Sequence, residues 1–229
     1  MTFRATLIAM SFIAAVPVMG QVGHEPSKSP YQDLEFRQEL SAYTGYFIAG
    51  KDVAGVAPRS GPLIGGRYEV RVGGPAYFTA RVARVFSERR IANPTQPAAT
   101  RFSDVMSWPL YLTDASLSLN LTGQKSIRQF IPILNLGFGL ASDFRKADVG
   151  GYRFGTTFAF SFGGGVRWTP GGPFQLRADL GDHIYQISYP TSYYIRASDS
   201  TRVLPNTQSK SIWKHNATLT VGASYLFFR

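Results

Sequence analysis

Apolar and polar residues alternate along most of this chain, most clearly near its carboxyl end. From Leu219 to Phe227 the odd-numbered positions carry apolar side chains, and the even-numbered positions carry mainly small or polar ones. A period of two residues is that of a β-strand, whose successive side chains point to opposite faces. The same pattern recurs in seven earlier segments. The eight predicted strands are residues 34–49, 64–72, 76–87, 109–122, 129–141, 156–168, 174–187 and 213–227.

The connections between these predicted strands alternate between short and long without exception. Outer-membrane barrels have this asymmetry, with short periplasmic turns and long external loops. Most of the strands also exceed the ~9–11 residues that a tilted membrane-spanning strand needs. We therefore predict an all-β fold, an eight-stranded antiparallel up-and-down transmembrane β-barrel. The short connections are 73–75, 123–128 and 169–173, and the long ones are 50–63, 88–108, 142–155 and 188–212.

The amino-terminal residues have the three parts of a secretory signal peptide. Arg4 precedes an apolar stretch over residues 5–18, which ends in small side chains near Gly20. This stretch is shorter than the ~20 residues of a membrane-spanning helix, although an uncleaved anchor helix stays open as an alternative. The sequence contains no cysteine, so we expect no lipoprotein attachment site and no disulfide. The predicted organisation is a signal peptide over 1–20, a periplasmic N-terminal linker over 21–33 and an outer-membrane β-barrel domain over 34–229.

The polar faces of the predicted strands carry arginines and acids in near balance, and no lysine lies at mid-strand. A planar guanidinium holds carboxylates in a fixed geometry, and buried charges are tolerated only when they are paired. This composition is therefore typical of a confined interior. An eight-stranded barrel is about filled by its own side chains, so we expect no wide channel. The predicted lumenal charge network is Glu35, Arg37, Glu39, Arg67, Glu69, Arg71, Arg81, Asp114, Arg167, Arg177 and Asp179.

Alternation alone does not say which face of the sheet is inside. A soluble barrel exported to the periplasm would turn its apolar face inward, and it remains an alternative. Aromatic residues near the predicted strand ends favour the membrane, since such residues concentrate at both interfaces of a bilayer. The predicted aromatic girdle is Tyr46, Phe47, Trp108, Tyr111, Trp168, Phe174, Tyr185, Trp213, Tyr225 and Phe227.

The last predicted strand resembles the carboxyl-terminal β-signal of outer-membrane proteins. The positions that carry the resemblance are a polar residue, a glycine and two apolar residues, namely Thr220, Gly222, Tyr225 and Phe227. The family usually stops at an aromatic residue, whereas here Phe228 and Arg229 follow. The resemblance implies that the barrel-assembly machinery recognises this strand during insertion.

A second resemblance covers the seventh predicted strand. Residues 176–180, Leu-Arg-Ala-Asp-Leu, followed by Asp182 and His183, look like a strand of uncharacterised outer-membrane β-barrel domain proteins. Together with the eight strands, this makes the chain similar to the small OmpA/OmpX-like barrel proteins. The resemblance implies a structural or interactive role more often than an enzymatic one.

Candidate catalytic chemistry is sparse in this sequence. The three histidines, His24, His183 and His215, are too scattered to predict a metal site. Asp182 and His183 would form half of a hydrolytic triad only with a serine beside the histidine, so a lipid-modifying enzyme is the least favoured alternative. We expect no catalytic residue, no metal and no cofactor. The net charge is +10, but the basic residues are spread through strands and loops, so we expect no nucleic-acid partner.

The predicted outer loops carry eleven basic and six acidic residues. Cations beside the phosphates of lipopolysaccharide would gain charge-assisted contacts, although ordinary solvated charge explains the excess equally well. The predicted partners are therefore outer-membrane lipid and lipopolysaccharide, with the barrel-assembly machinery during insertion. We predict a non-enzymatic integral protein of the cell outer membrane, with a structural or surface-interaction role through its loops. The alternative is a narrow channel for small or apolar solutes.

Overall fold

A computed structural model describes residues 29–228 of the chain, which contain eight long antiparallel strands. Each strand pairs with its neighbours in sequence, and the last pairs with the first, which closes a barrel. The predicted fold class is confirmed. The strands are β1 (Gln38–Ile48), β2 (Gly61–Gly73), β3 (Ala76–Val85), β4 (Leu110–Asn120), β5 (Phe130–Ser142), β6 (Thr156–Trp168), β7 (Phe174–Ser188) and β8 (Ser211–Phe227).

The two ends of the barrel differ in the length of their connections. Short turns follow β2, β4 and β6, whereas long loops follow β1, β3, β5 and β7. Two short strands, Glu88–Arg89 and Met106–Ser107, pair within the second long loop, and a 3-10 helix over Thr191–Tyr194 lies in the last one. No helix in the described residues is long and apolar enough to cross a bilayer. In outer-membrane barrels long loops are extracellular and short turns are periplasmic, and the two ends of this barrel are named accordingly.

A short segment before β1 crosses the periplasmic opening of the barrel. Tyr31–Asp33 forms a three-residue strand that is antiparallel to Lys125–Ile127, in the turn between β4 and β5. That turn lies opposite β1 in the ring of strands. Residues 34–37 therefore span the opening to reach the start of β1, and we call them the crossing segment.

Backbone hydrogen bonds hold the crossing segment at both sides of the opening. The Leu34 amide donates to the Gln124 carbonyl at 2.9 Å, and the Arg37 amide donates to the Phe228 carbonyl at 2.7 Å. The predicted signal peptide, residues 1–20, and the predicted linker as far as residue 28 lie outside the described residues.

The two faces of the sheet differ in exposure, as the alternating pattern predicts. Leu136, at the centre of β5, points outward and is 71% exposed, whereas Asn135 beside it is buried in the lumen. Most outward side chains near the middle of the other strands are also apolar and exposed, and they form a band around the barrel. Members of this band are Leu40, Ile64, Phe78, Val82, Leu117, Leu134, Phe138, Phe160, Leu176, Leu180, Leu219 and Val221.

Candidate functional site: the lumen and the extracellular rim

The periplasmic half of the lumen is filled by ion pairs centred on Glu69. This carboxylate is fully buried on β2 and accepts hydrogen bonds from Arg167 and, at 2.8 Å, from Arg177 Nη1. The Thr79 hydroxyl donates a third bond at 2.8 Å. Arg167 also lies 3.6 Å from Glu39. Guanidinium groups from β6 and β7 thus reach across the lumen to acids on β1 and β2.

Asp179 links the next part of the same network. Arg177 Nε donates to its Oδ1 at 2.8 Å, and Arg67 Nη2 donates to its Oδ2 at 2.9 Å. The Arg67 guanidinium also lies 5.2 Å from the centre of the Tyr43 ring. Each of these buried charges therefore has an opposite charge within 4 Å, and only Glu39, 3.6 Å from Arg167, is not directly hydrogen-bonded to it. Such pairing is the condition for burying ions at tolerable cost.

A separate pair lies nearer to the middle of the barrel. Arg81 Nε donates to Asp114 Oδ1 at 2.8 Å, and His183 Nε2 lies 3.7 Å from Asp114 Oδ2. His183 is buried on the lumenal face of β7, as the sequence predicts. With this pair, four arginines and four carboxylates of the described residues face one another inside the barrel.

Three members of the predicted charge network lie elsewhere. Glu35 and Arg37 are exposed in the crossing segment, so their predicted place in the lumen was wrong. The alternating pattern continues back to Leu34, but the wall of the barrel begins at Gln38, because the chain leaves it to cross the opening. Arg71 is half-buried at the periplasmic end, and its Nη1 donates at 3.4 Å to the Leu34 carbonyl rather than to a carboxylate.

The extracellular half of the lumen is apolar, which the sequence analysis did not predict. Phe47, Leu63 and Leu112 point inward there and are buried against residues of the outer loops. Phe47 and Tyr185 therefore belong to this layer, and their predicted place in the aromatic girdle was wrong. The sequence does carry a sign of this layer, because apolar and polar residues stop alternating there and both faces of the strand become apolar, as in residues 46–48, Tyr-Phe-Ile. The loop residues that complete the layer are Val56, Tyr152, Phe154, Tyr189, Tyr193 and Leu204.

Little space is left at the middle of the lumen. Between the ionic and apolar layers lies a cavity of about 20 Å³, lined by Arg81, Asp114 and His183 among others. That volume holds about one water molecule. A larger cavity of about 550 Å³ opens at the periplasmic end, between the crossing segment and the lowest ion pairs, where Arg167 and Gln175 line it. The periplasmic cavity thus extends inward only as far as the ionic layer.

The outer loops pack on one another over the extracellular mouth. Arg89 is buried between the rings of Trp108 and Tyr152, at 4.5 and 4.9 Å from their centres, and forms an ion pair with Asp148. This contact joins the loop after β3 to the loop after β5. Arg89 is one of the eleven basic residues of the predicted outer loops, and Asp148 neutralises its charge.

A second contact joins the loop after β3 to the loop after β7. Asp199 accepts hydrogen bonds from the Ala98 amide at 2.7 Å and from the hydroxyl and amide of Thr201. These donors favour the ionised carboxylate, with the Thr201 hydroxyl contributing most, and they lower the pKa of Asp199 to about 2. The loops are therefore tied together by ionised side chains as well as by apolar packing.

The residues of the predicted β-signal lie on the strand that closes the barrel. β8 pairs with β7 on one side and with β1 on the other. Thr220 points into the lumen, whereas Tyr225 is outward and packs on Phe174, with ring centres 5.4 Å apart. Phe227 stacks on Tyr225 from the same face. A Cβ atom at Gly222 would lie 2.6 Å from the Ala42 carbonyl oxygen, so only glycine fits there.

The structure separates the two residues of the hypothetical hydrolytic pair. His183 points into the lumen, whereas Asp182 points outward, because neighbours on a strand face opposite sides. Asp182 contacts His215 instead, at 2.6 Å between Oδ2 and Nδ1. Asp182 and His183 therefore do not form half of a triad. Among the described residues, no group of three or more potential metal ligands is present.

The exposed apolar band decides the environment of this barrel. A closed cylinder with an apolar outside satisfies its backbone internally, and its outer surface is compatible with hydrocarbon rather than with water. The chain is an outer-membrane β-barrel protein. An exposed apolar band surrounds the barrel and buried ion pairs fill part of its lumen, so the alternative of a soluble carrier with its apolar face inward is wrong.

Comparisons with known proteins give similar architectures at low sequence identity. The chain matches no protein-family model and no curated protein. Among solved structures, Neisserial surface protein A is 17% identical with a TM-score of 0.47, and the match covers 83% of this chain and 97% of that one. The N-terminal β-barrel domain of Pseudomonas aeruginosa OprF is 11% identical (TM-score 0.42; 85% and 100% covered), and the outer membrane protein AlkL is 14% identical (0.43; 90% and 97%).

Proposed function

We propose that this protein is a non-enzymatic, structural barrel of the outer membrane that does not conduct solutes and that interacts with its surroundings through its outer loops. The observation that carries this proposal is the filling of the lumen by two successive layers. The ionic layer around Glu69 occupies the periplasmic half, and the apolar layer around Leu112 occupies the extracellular half.

The two layers exclude different solutes. A small ion that entered from the periplasm would meet guanidinium and carboxylate groups that are already paired with one another, so it would have to break these ion pairs to pass. An apolar solute that entered from outside would meet packed aromatic rings, and below them a polar network in which it would leave hydrogen bonds unmade. The filled lumen therefore supports a structural role over the narrow channel.

The outer loops support a role in surface contact. Buried side chains such as Arg89 hold the loops against one another, so their outer surfaces are presented on a fixed frame. Recognition of β8 by the barrel-assembly machinery and contact of the loops with lipopolysaccharide belong to the same proposal.

Recordings in planar lipid bilayers test the closed lumen. The full protein should give no steady conductance steps, whereas a porin reconstituted by the same protocol gives them. Single variants that thin one layer, Arg177→Ala or Leu112→Ala, should also stay closed, because the other layer remains in place. Steady, reproducible conductance of the unaltered protein would show that the channel alternative is right.

A further inference from the structure

β3 ends at the extracellular rim with an arginine on its outward, lipid-facing side. Arg84 follows the exposed residue Val82 on that face, and it lies opposite Tyr111 of β4 in the strand register. Its guanidinium carbon is 5.0 Å from the centre of the Phe86 ring and 6.0 Å from that of Tyr111. A cation therefore stands among aromatic rings at the level where the apolar band ends.

A second arginine joins the same surface from the loop after β5. Arg145 lies 5.1 Å from the centre of the Trp108 ring. Phe144 beside it is 73% exposed and packs on Tyr111, with ring centres 5.4 Å apart. Tyr111 of β4 is also paired with Ser142 of β5, so these residues lie on or directly beside three adjacent strands. We call the set Arg84, Phe86, Trp108, Tyr111, Phe144 and Arg145 the rim patch.

The two cations of the rim patch have no internal counterion. Neither guanidinium forms an ion pair with a carboxylate of residues 29–228. Asp143 is the adjacent acid, but it is buried and accepts from Trp108 Nε1 at 2.9 Å and from the backbone amides of Arg145 and Gly155 at 3.0 and 3.1 Å. Its hydrogen bond holds the Trp108 ring in place beneath Arg145.

We propose that the rim patch is a binding site for a phosphate of lipid A, the glycolipid of the outer leaflet. A guanidinium donates two parallel hydrogen bonds to phosphate oxygens, and the aromatic rings hold each guanidinium in position. The exposed rings of Phe86 and Phe144 lie where aromatic side chains meet the boundary between acyl chains and headgroups. Lys146, which is exposed next to Arg145, adds a third positive charge.

The position of the rim patch selects the glycolipid over a phospholipid. The patch lies on the lipid-facing side of the barrel at the end with the long loops, and this end borders the outer leaflet. The arginines of the crossing segment and of the lumen do not reach this level. The inference deepens the loop-contact role proposed above, and it is independent of whether the lumen conducts.

Titration of the full protein in dodecyl maltoside micelles tests the site, with bound lipid counted by native mass spectrometry. The probes are diphosphoryl lipid A, the same lipid A after removal of both phosphates, and phosphatidylglycerol. The unaltered protein should bind diphosphoryl lipid A at least tenfold more tightly than either other probe. The Arg84→Gln/Arg145→Gln variant should lose at least tenfold in affinity for diphosphoryl lipid A and change little toward the dephosphorylated form.

The Arg90→Gln/Arg196→Gln variant is the matched control, because it removes two exposed loop arginines outside the rim patch. It should bind within twofold of the unaltered protein. An equal loss in both double variants would mean that diffuse loop charge, not the rim patch, attracts the lipid. Equal binding of phosphatidylglycerol would refute the glycolipid as the ligand. If the first variant does not fold, the single variant Arg145→Gln, at an exposed loop position, takes its place, and it should still lose affinity for diphosphoryl lipid A but not for the dephosphorylated form.

Discussion

Removing the charge of Glu69 should weaken the barrel far more than removing the charge of an acid exposed in a loop. The Glu69→Gln variant keeps the size of the side chain and leaves one amide oxygen for the Thr79 hydroxyl. It removes the carboxylate that Arg167 and Arg177 share, and it changes the balance of paired lumenal charges from four against four to four against three. The amide nitrogen of the new side chain would also face one of the two guanidinium groups.

The magnitude follows from the burial of this site. Breaking a buried ion pair by removing one partner costs about 3–5 kcal/mol, because the remaining charge is left uncompensated in a medium of low dielectric constant. Exposed sites without special contacts change stability by no more than ~0.5 kcal/mol. Glu88, which is exposed in the loop after β3, is the matched control as Glu88→Gln.

Urea titration in phospholipid vesicles measures the free energy of unfolding, with tryptophan fluorescence and the gel mobility of folded barrels as two probes. Glu69→Gln should lower this free energy by ~3–5 kcal/mol, and Glu88→Gln by less than ~0.5 kcal/mol. The double variant Glu69→Gln/Arg167→Gln restores neutrality, so its loss should be smaller than the sum of the single losses. Equal stability of the Glu69 and Glu88 variants would refute the view that ion pairs hold the lumen together.

Two further outcomes test the outer face and the loops. Leu136→Arg places a charge on the lipid-facing side at mid-strand and should lower the free energy of unfolding in vesicles by ~2–4 kcal/mol. Ile195→Arg, at a similarly exposed position in a loop, should lower it by less than ~0.5 kcal/mol. Similar losses in both variants would mean that lipid does not surround the apolar band. Because the pKa of Asp199 is lowered to about 2, its hydrogen bond with the Ala98 amide should be fully formed above pH ~4 and be lost as the pH falls through 2. Hydrogen exchange of the Ala98 amide measures this loss, and protection that stays constant over that pH range would contradict the role of the ionised Asp199 carboxylate.

The strand pattern in the sequence predicts the wall of the barrel well, because one face of each strand meets lipid and the other meets a polar lumen. β6 spans the same residues, 156–168, in the prediction and in the structure. The prediction for β2 began at Ile64, three residues late, because Gly61 and Pro62 are typical of turns. At the edge of a barrel wall these residues are nevertheless accommodated in the strand.

The contents of the lumen could be predicted only in part. Arginines and acids at alternate positions identify the ionic layer, since a polar side chain opposite an apolar one must face inward. The apolar layer could not be predicted in this way, because Phe47 and Leu63 face inward on strand segments whose outward residues are also apolar. Their partners come from loops far away in sequence, such as Tyr193, and no periodic pattern encodes that packing.

The hydrogen bond between the Arg37 amide and the Phe228 carbonyl has a consequence for the order of assembly. The donor precedes the first strand and the acceptor follows the last. This hydrogen bond therefore cannot form until β8 has paired with β1 and closed the barrel. Protection of the Arg37 amide from hydrogen exchange therefore reports when the barrel closes. This protection should arise after that of every residue within the hairpins, and a carboxyl-terminal truncation that stops before Phe228 should leave the Arg37 amide unprotected in an otherwise complete ring.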